Sequence, residues 1–262
     1  MDLNFHKYQG TGNDFIIVDN FNGNWDKLET KFIQSMCDRN FGIGGDGLIK
    51  INRSPQFDFE MDYYNADGTK SFCGNGARCA VTFVKDNLIN NSQFIFSAID
   101  GVHHAQILDR MVSLKMNDTY CKLEKNHDII LNTGSPHYVK YVSDLNGMDV
   151  FNEGRLIRYS SAFADGGINV NFVMPLTSHS ISIRTYERGV ENETLSCGTG
   201  ATACAIVNAV VEDLFGKQTI AVRVKGGELE VTFNRINQSD FEDIYLIGPA
   251  LKVFEGKIDI NF

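Results

Sequence analysis

With 262 residues, a formal charge of −9, 43% hydrophobic and 22% charged content, the chain reads as a soluble globular protein with enough length for one large or two medium cores. The acidic balance argues against non-specific nucleic-acid binding, which needs clustered Lys and Arg, and no stretch reaches the roughly 18–20 apolar residues of a membrane span. Residues 1–7 lack the basic-then-apolar pattern of a signal peptide, so a cytoplasmic protein with reduced thiols is expected.

In chain order, residues 7–14 read as a polar glycine loop, followed by a strand over 15–18 and a helix over about 26–39. Gly42-Ile43-Gly44-Gly45-Asp46-Gly47 fits G-x-G-x-x-G, but a strand-like 48–51 follows where a dinucleotide site needs a helix. Residues 57–63 alternate apolar and polar, as a half-buried strand does. Further strands are expected at 94–96, 102–108 and 111–116, then at 138–142, 168–173, 180–186, 220–224, 229–233, 244–247 and 253–258. Helical spacing appears after Cys73, and 201–211 is apolar on nearly every side, which marks an enclosed helix. The pattern predicts a mainly antiparallel sheet curled around one central helix, built twice.

Two stretches support the doubling. Cys73-Gly74-Asn75-Gly76 and Cys197-Gly198-Thr199-Gly200 lie about half a chain apart, and each runs into a small-residue apolar segment. Gly44-Gly45 precedes the first at nearly the distance by which Gly166-Gly167 precedes the second. Tyr64-Asn65-Ala66-Asp67-Gly68 stands before Cys73 as Tyr186-Glu187-Arg188-Gly189 stands before Cys197. The six cysteines, at 37, 73, 79, 121, 197 and 204, lack the paired spacing of a zinc site, so no metal is expected. Cys37 and Cys121 read as packing residues.

A cysteine just before a helix sits among unpaired N–H groups at the positive end of the helix dipole, which favours thiolate. The adjoining Gly-x-Gly lets backbone donors approach an anion. Two such elements acting on one carboxylate could remove an α-proton with one sulfur and return a proton on the opposite face with the other. The enolate-like charge would be held by donors already in place, chemistry that can replace pyridoxal phosphate. No cofactor is expected.

The chain is identified by its motifs as resembling the diaminopimelate epimerase family over nearly its whole length. The markers are 10–15 (Gly-Thr-Gly-Asn-Asp-Phe), 64–68, 73–79, Gly134-Ser135-Pro136-His137, Asn169-Val170, 186–189 and 197–200. The resemblance implies an α/β fold of two pseudo-symmetric lobes with the active site in the cleft. The lobes would be 1–117, with 252–262 returning to it, and 118–251. It implies Cys73 and Cys197 as the catalytic pair, interconverting LL- and meso-2,6-diaminopimelate for lysine and cell-wall synthesis, and a homodimer. Substrate contacts would come from Asn13, Asn65, Gly74, Asn75, Ser135, Asn169, Glu187, Arg188, Gly198 and Thr199. Arg188 would take the distal carboxylate and Glu187 the distal ammonium, while His137 and Glu187 would tune the thiols. Ser135 stands where many relatives carry Asn, and Gly47 where some carry Gln.

Read alone, Glu187-Arg188 is a solvated pair, the asparagines are turn formers and His137 is a packing residue. The competing functions are a two-cysteine racemase of another amino acid, of proline or histidine type, and a non-catalytic thiol redox or binding protein.

Overall fold

The computed structural model describes residues 2–121 and 129–259. The chain divides into two compact units, Met1–Leu114 with Gly248–Phe262, and Lys115–Ile247. Residues 260–262 of the expected return segment lie outside the described residues. No described helix is long and apolar enough to cross a membrane.

In the first unit the elements are β1 (Asp2–Gly10), β2 (Asn13–Asn20), α1 (Thr30–Cys37), β3 (Gly47–Asn52), β4 (Phe59–Asn65), α2 (Gly74–Asn87), β5 (Gln93–Ala98), β6 (Gly101–Leu108) and β7 (Met111–Lys115), where the chain passes into the second unit. Antiparallel pairs β1–β2, β3–β4, β5–β6 and β6–β7 alternate with parallel pairs β2–β3 and β4–β5. Each parallel pair needs a crossover, and α1 and α2 supply them. The strand alternation sorts the helices to opposite faces. Ile16, Val18 and Leu48 pack with Ile33 and Met36 of α1, whereas Ile49 and Met61 turn towards Gly76 of α2. Nearly every residue of α2 from Asn75 to Val84 is buried, as expected of a helix with strands around it.

The second unit holds β8 (Thr119–Tyr120), β9 (Ile129–Asn132), β10 (Pro136–Tyr141), α3 (Val150–Arg158), β11 (Asn169–Thr177), β12 (Ser180–Glu187), β13 (Asn192–Thr194), α4 (Gly198–Val211), β14 (Gly216–Val224), β15 (Gly227–Arg235) and β16 (Asp240–Pro249). Its plan repeats the first. Antiparallel β9–β10, β11–β12, β14–β15 and β15–β16 alternate with parallel β10–β11 and β12–β14, crossed by α3 and α4. Val170 and Phe172 pack with Val150 of α3, while Asn171 faces Gly200 of α4. The last strand, β17 (Leu251–Asp259), pairs antiparallel with β1. The result is the expected sheet-dominated α/β architecture with few helices.

Several elements differ from expectation. Residues 7–10 belong to β1, and the loop shrinks to Thr11-Gly12, both with positive φ. Helix α1 is shorter than 26–39, because 23–29 packs as a turn on Asn20, which bonds Trp25 N and Asp26. Helix α3 lies in a stretch where the sequence pattern predicts no element; Val150, Gly154 and Ile157 form its inner face, and Asp149 caps it by accepting from Asn152 N. The glycine run at 42–47 follows a helix and precedes a strand, the reverse of a dinucleotide fingerprint.

Candidate active site

Both cysteines occupy the N-cap of an enclosed helix. Cys73 caps α2 with extended backbone, and its Sγ accepts from Gly76 N at 3.4 Å. Cys197 caps α4 with nearly the same backbone but makes no side-chain cap bond, and its Sγ lies 3.6 Å from Thr199 Oγ1. Glycine three residues after each cysteine permits close approach: a Cβ at Gly76 would press on Ile49 Cδ1 at 3.3 Å, and one at Gly200 would meet Asn171 Oδ1 at 2.6 Å. The helix starts therefore sit directly on the strands, with their first N–H groups unpaired by the helix itself.

In the first unit, a polar chain leads away from α2. Arg78 Nη1 donates to Asn75 Oδ1 at 3.0 Å, Asn75 Nδ2 donates to Asn13 Oδ1 at 2.8 Å, and Asn13 Nδ2 donates to Asp46 Oδ2 at 2.8 Å. Asp46 is held by Arg39, which also bridges Asp14. Asn13, Asn75 and Gly74 are thus brought together beside Cys73. Asn65, at the end of β4, is tied to Thr69 and Ser71 of its own turn.

Arg78 was not foreseen. Its side chain is 0% exposed, Nη2 donates to Thr11 Oγ1 at 3.1 Å, and Nε has no partner. Burial lowers its pKa, and the groups whose fields oppose that are the thiols of Cys79 and Cys73. Burial also pushes the Cys79 thiol far up, so it stays protonated. A cation in the first turns of a helix, against the dipole, is the signal the sequence offers.

In the second unit, Asn169 is the hub of a polar cluster. Its Nδ2 donates to Ser135 Oγ at 2.8 Å and Pro136 O at 3.2 Å, and its Oδ1 accepts from Arg188 N at 2.9 Å. The exposed Arg188 donates from Nη1 to Gly166 O at 2.9 Å. Glu187 accepts a short hydrogen bond from the Thr194 hydroxyl. His137 is fully buried, with Nε2 2.9 Å from Thr199 Oγ1 and Nδ1 3.1 Å from Asn171 Nδ2. Burial lowers its pKa to about 3, so the ring is neutral and can act on the nearby thiol through hydrogen bonds but not by charge. Cys37 and Cys121 are buried, their thiols pushed up to about 11, and Cys204 is buried within α4. Among the described residues no cluster of His, Cys, Asp and Glu could hold a metal ion.

A doubled α/β fold of this plan is shared with several solved structures. A PhzF-family phenazine biosynthesis protein from Bacillus anthracis matches at a TM-score of 0.75 with 15% identity, covering 99% of this chain and 100% of that one. A hydroxyproline epimerase from Agrobacterium vitis matches at 0.72 with 11% identity, covering 100% and 93%. At that identity the likeness defines the fold alone. The sequence narrows it further: the diaminopimelate epimerase family model matches residues 5–119 and 129–253. The diaminopimelate epimerase of Flavobacterium psychrophilum is 48% identical over 98% of this chain and 100% of its own length. That of Aquifex aeolicus is 37% identical over 98% of both. The chain belongs to the diaminopimelate epimerase family.

Proposed function

We propose that the protein interconverts LL- and meso-2,6-diaminopimelate by proton transfer at one α-carbon, with Cys73 and Cys197 as the two proton-transfer groups. The observation that carries this is the matched placement of the two cysteines at the N-caps of equivalent buried helices in a chain of this family. One sulfur, as thiolate, takes the α-proton, and the other, as thiol, delivers a proton to the opposite face. The configuration inverts, and the roles exchange in the reverse direction. The N–H groups of Gly74, Asn75, Gly198 and Thr199 take the carboxylate of the reacting centre and stabilise negative charge as it forms. Asn13, Asn65, Ser135, Asn169, Glu187 and Arg188 read the distal amino-acid head, Arg188 on its carboxylate and Glu187 on its ammonium. A proline-type substrate has no second head for that set to bind.

The reading extends to a cytoplasmic homodimer that uses no cofactor. Light scattering after size exclusion tests the dimer, and a monomer mass overturns it. Incubation with LL-diaminopimelate in heavy water, followed by NMR, tests the activity. Deuterium enters the α-position and the meso isomer accumulates, while L-proline and L-histidine remain unlabelled. No label in diaminopimelate, or faster labelling of proline, refutes it.

A further inference from the structure

The two units share a plan but not the residues behind their cysteines. Around the start of α2 the first unit places mainly apolar groups: Ile49 beneath Gly76, Phe15 across from Gly47 in register, and the ring of Tyr63, whose hydroxyl reaches towards Asp46 O, across from Ile49. The equivalent places around α4 hold Asn171 beneath Gly200, His137 across from Asn169, and Thr185 across from Asn171. Packing alone is satisfied by the mainly apolar trio, so the polar trio needs another reason. Buried polar groups cost free energy unless every one is bonded.

The hydrogen-bond directions in the polar trio are determined. Asn171 is 0% exposed. Its amide nitrogen is 3.0 Å from Tyr138 O, a carbonyl that can only accept, and its Oδ1 takes the Thr185 hydroxyl at 3.0 Å. The second amide hydrogen then points at His137 Nδ1, 3.1 Å away, which must offer a lone pair. A neutral ring with a bare Nδ1 carries its proton on Nε2, so Nε2 donates to Thr199 Oγ1 at 2.9 Å. With that lone pair occupied, the Thr199 hydroxyl proton is left to point at Cys197 Sγ, 3.6 Å away.

We propose, resting on the role given to Cys197 above, that Asn171 is a positioning residue: it fixes the Nε2–H form of His137 and thereby orients the Thr199 hydroxyl as a donor to the Cys197 thiolate. The same hydroxyl keeps a lone pair that accepts from Cys197 when the sulfur carries its proton, so one residue serves both halves of the catalytic exchange. Cys73 lacks this device and takes a backbone N–H from Gly76 instead. Among neighbouring charges, Arg188 acts on the ring in the same sense as burial, and the Glu187 carboxylate is engaged by Thr194.

Two measurements test this in the resting protein, independent of turnover. Long-range nitrogen–proton NMR on ring-labelled histidine reads the tautomer directly. His137 shows a protonated Nε2 and a bare Nδ1 from about pH 5 to about pH 9. Iodoacetamide labelling, quantified on the Cys197 peptide by mass spectrometry, reads the thiolate across pH. Asn171→Leu and Thr199→Val each move the labelling midpoint up by about one unit, slowing reaction about tenfold below it. Thr199→Ser restores the midpoint, and the double variant Asn171→Leu/Thr199→Val is no worse than either single change, because both cut one relay. A protonated Nδ1 in the native protein overturns the proposal. So do full additivity, or Thr199→Val labelling like the native protein, which decides the matter even if Asn171→Leu fails to fold. Correct labelling in a protein that leaves diaminopimelate untouched would instead sink the substrate assignment and leave the relay standing.

Discussion

Replacing Arg78 by methionine separates what this residue does for stability from what it does for chemistry. The substitution removes two hydrogen bonds from a charged donor to neutral oxygens, of Asn75 and Thr11, worth together about 3–6 kcal/mol. Against that, a guanidinium with no carboxylate partner no longer has to be stripped of water, a relief of several kcal/mol. The orphaned Nε also disappears, relieving about 1–3 kcal/mol more. The opposing contributions nearly cancel, so Arg78→Met changes unfolding free energy by no more than about 2 kcal/mol in either direction. Its chemical effect is larger. Cys79 stays protonated through burial, which leaves Cys73 as the neighbour able to balance the cation as thiolate. Without the cation, iodoacetamide labelling of Cys73 below its midpoint slows at least about tenfold, and kcat for diaminopimelate falls with it. Urea melts and peptide-resolved labelling on one preparation give both quantities. A loss of more than about 3 kcal/mol with unchanged labelling would show that Arg78 is a structural residue and refute the reasoning.

Cys73→Ala and Cys197→Ala each abolish interconversion, whereas the melting midpoint moves by only a few degrees, read by calorimetry beside the heavy-water exchange assay. With Arg188 on the distal carboxylate as proposed, Arg188→Met raises KM for diaminopimelate and lowers kcat/KM by about a hundredfold, and the melt stays normal because the exposed side chain adds nothing to the core. Unchanged KM would remove it from the distal site. Glu193 is paired in two-pronged fashion with Arg184 at 2.7 and 2.8 Å, and that bond holds its pKa below the ordinary 4.5. Its contribution is therefore complete above about pH 4.5 and lost as pH falls through the lowered value. Glu193→Gln costs about 1–3 kcal/mol at neutral pH and flattens the acid limb of a urea-melt series, and an unaltered limb would count against the pair.

Strand alternation and small-residue helices were readable because burial imposes a period on the chain. The parallel pairing of β2 with β3, and of β10 with β11, was not readable, since a strand's own residues fix which of its faces is buried but not the direction of its neighbour. The helix-capping positions of Cys73 and Cys197 and the glycines after them were legible because helix caps and close approaches demand particular residues. Arg78 and Asn171 were not singled out. Each owes its meaning to what folding sets beside it: Arg78 to its complete burial and to Thr11, 67 residues away, and Asn171 to the bare imidazole nitrogen of His137, 34 residues away. His137 shows the limit of reasoning from residue type. A histidine near a thiol suggests a charge effect, whereas its complete burial keeps the ring neutral and leaves hydrogen bonding as its means of action.

The pairing of β17 with β1 has a consequence for the order of events during synthesis. β1 leaves the ribosome long before β17, the strand that pairs along its side. Throughout translation of the intervening chain, β1 presents an open row of backbone groups, a template for stray association. Lys115–Ile247, by contrast, has all its own strands before the end is reached. A released chain truncated after residue 250 thus holds a folded later portion and an unfinished earlier one, and chaperone contact concentrates on β1.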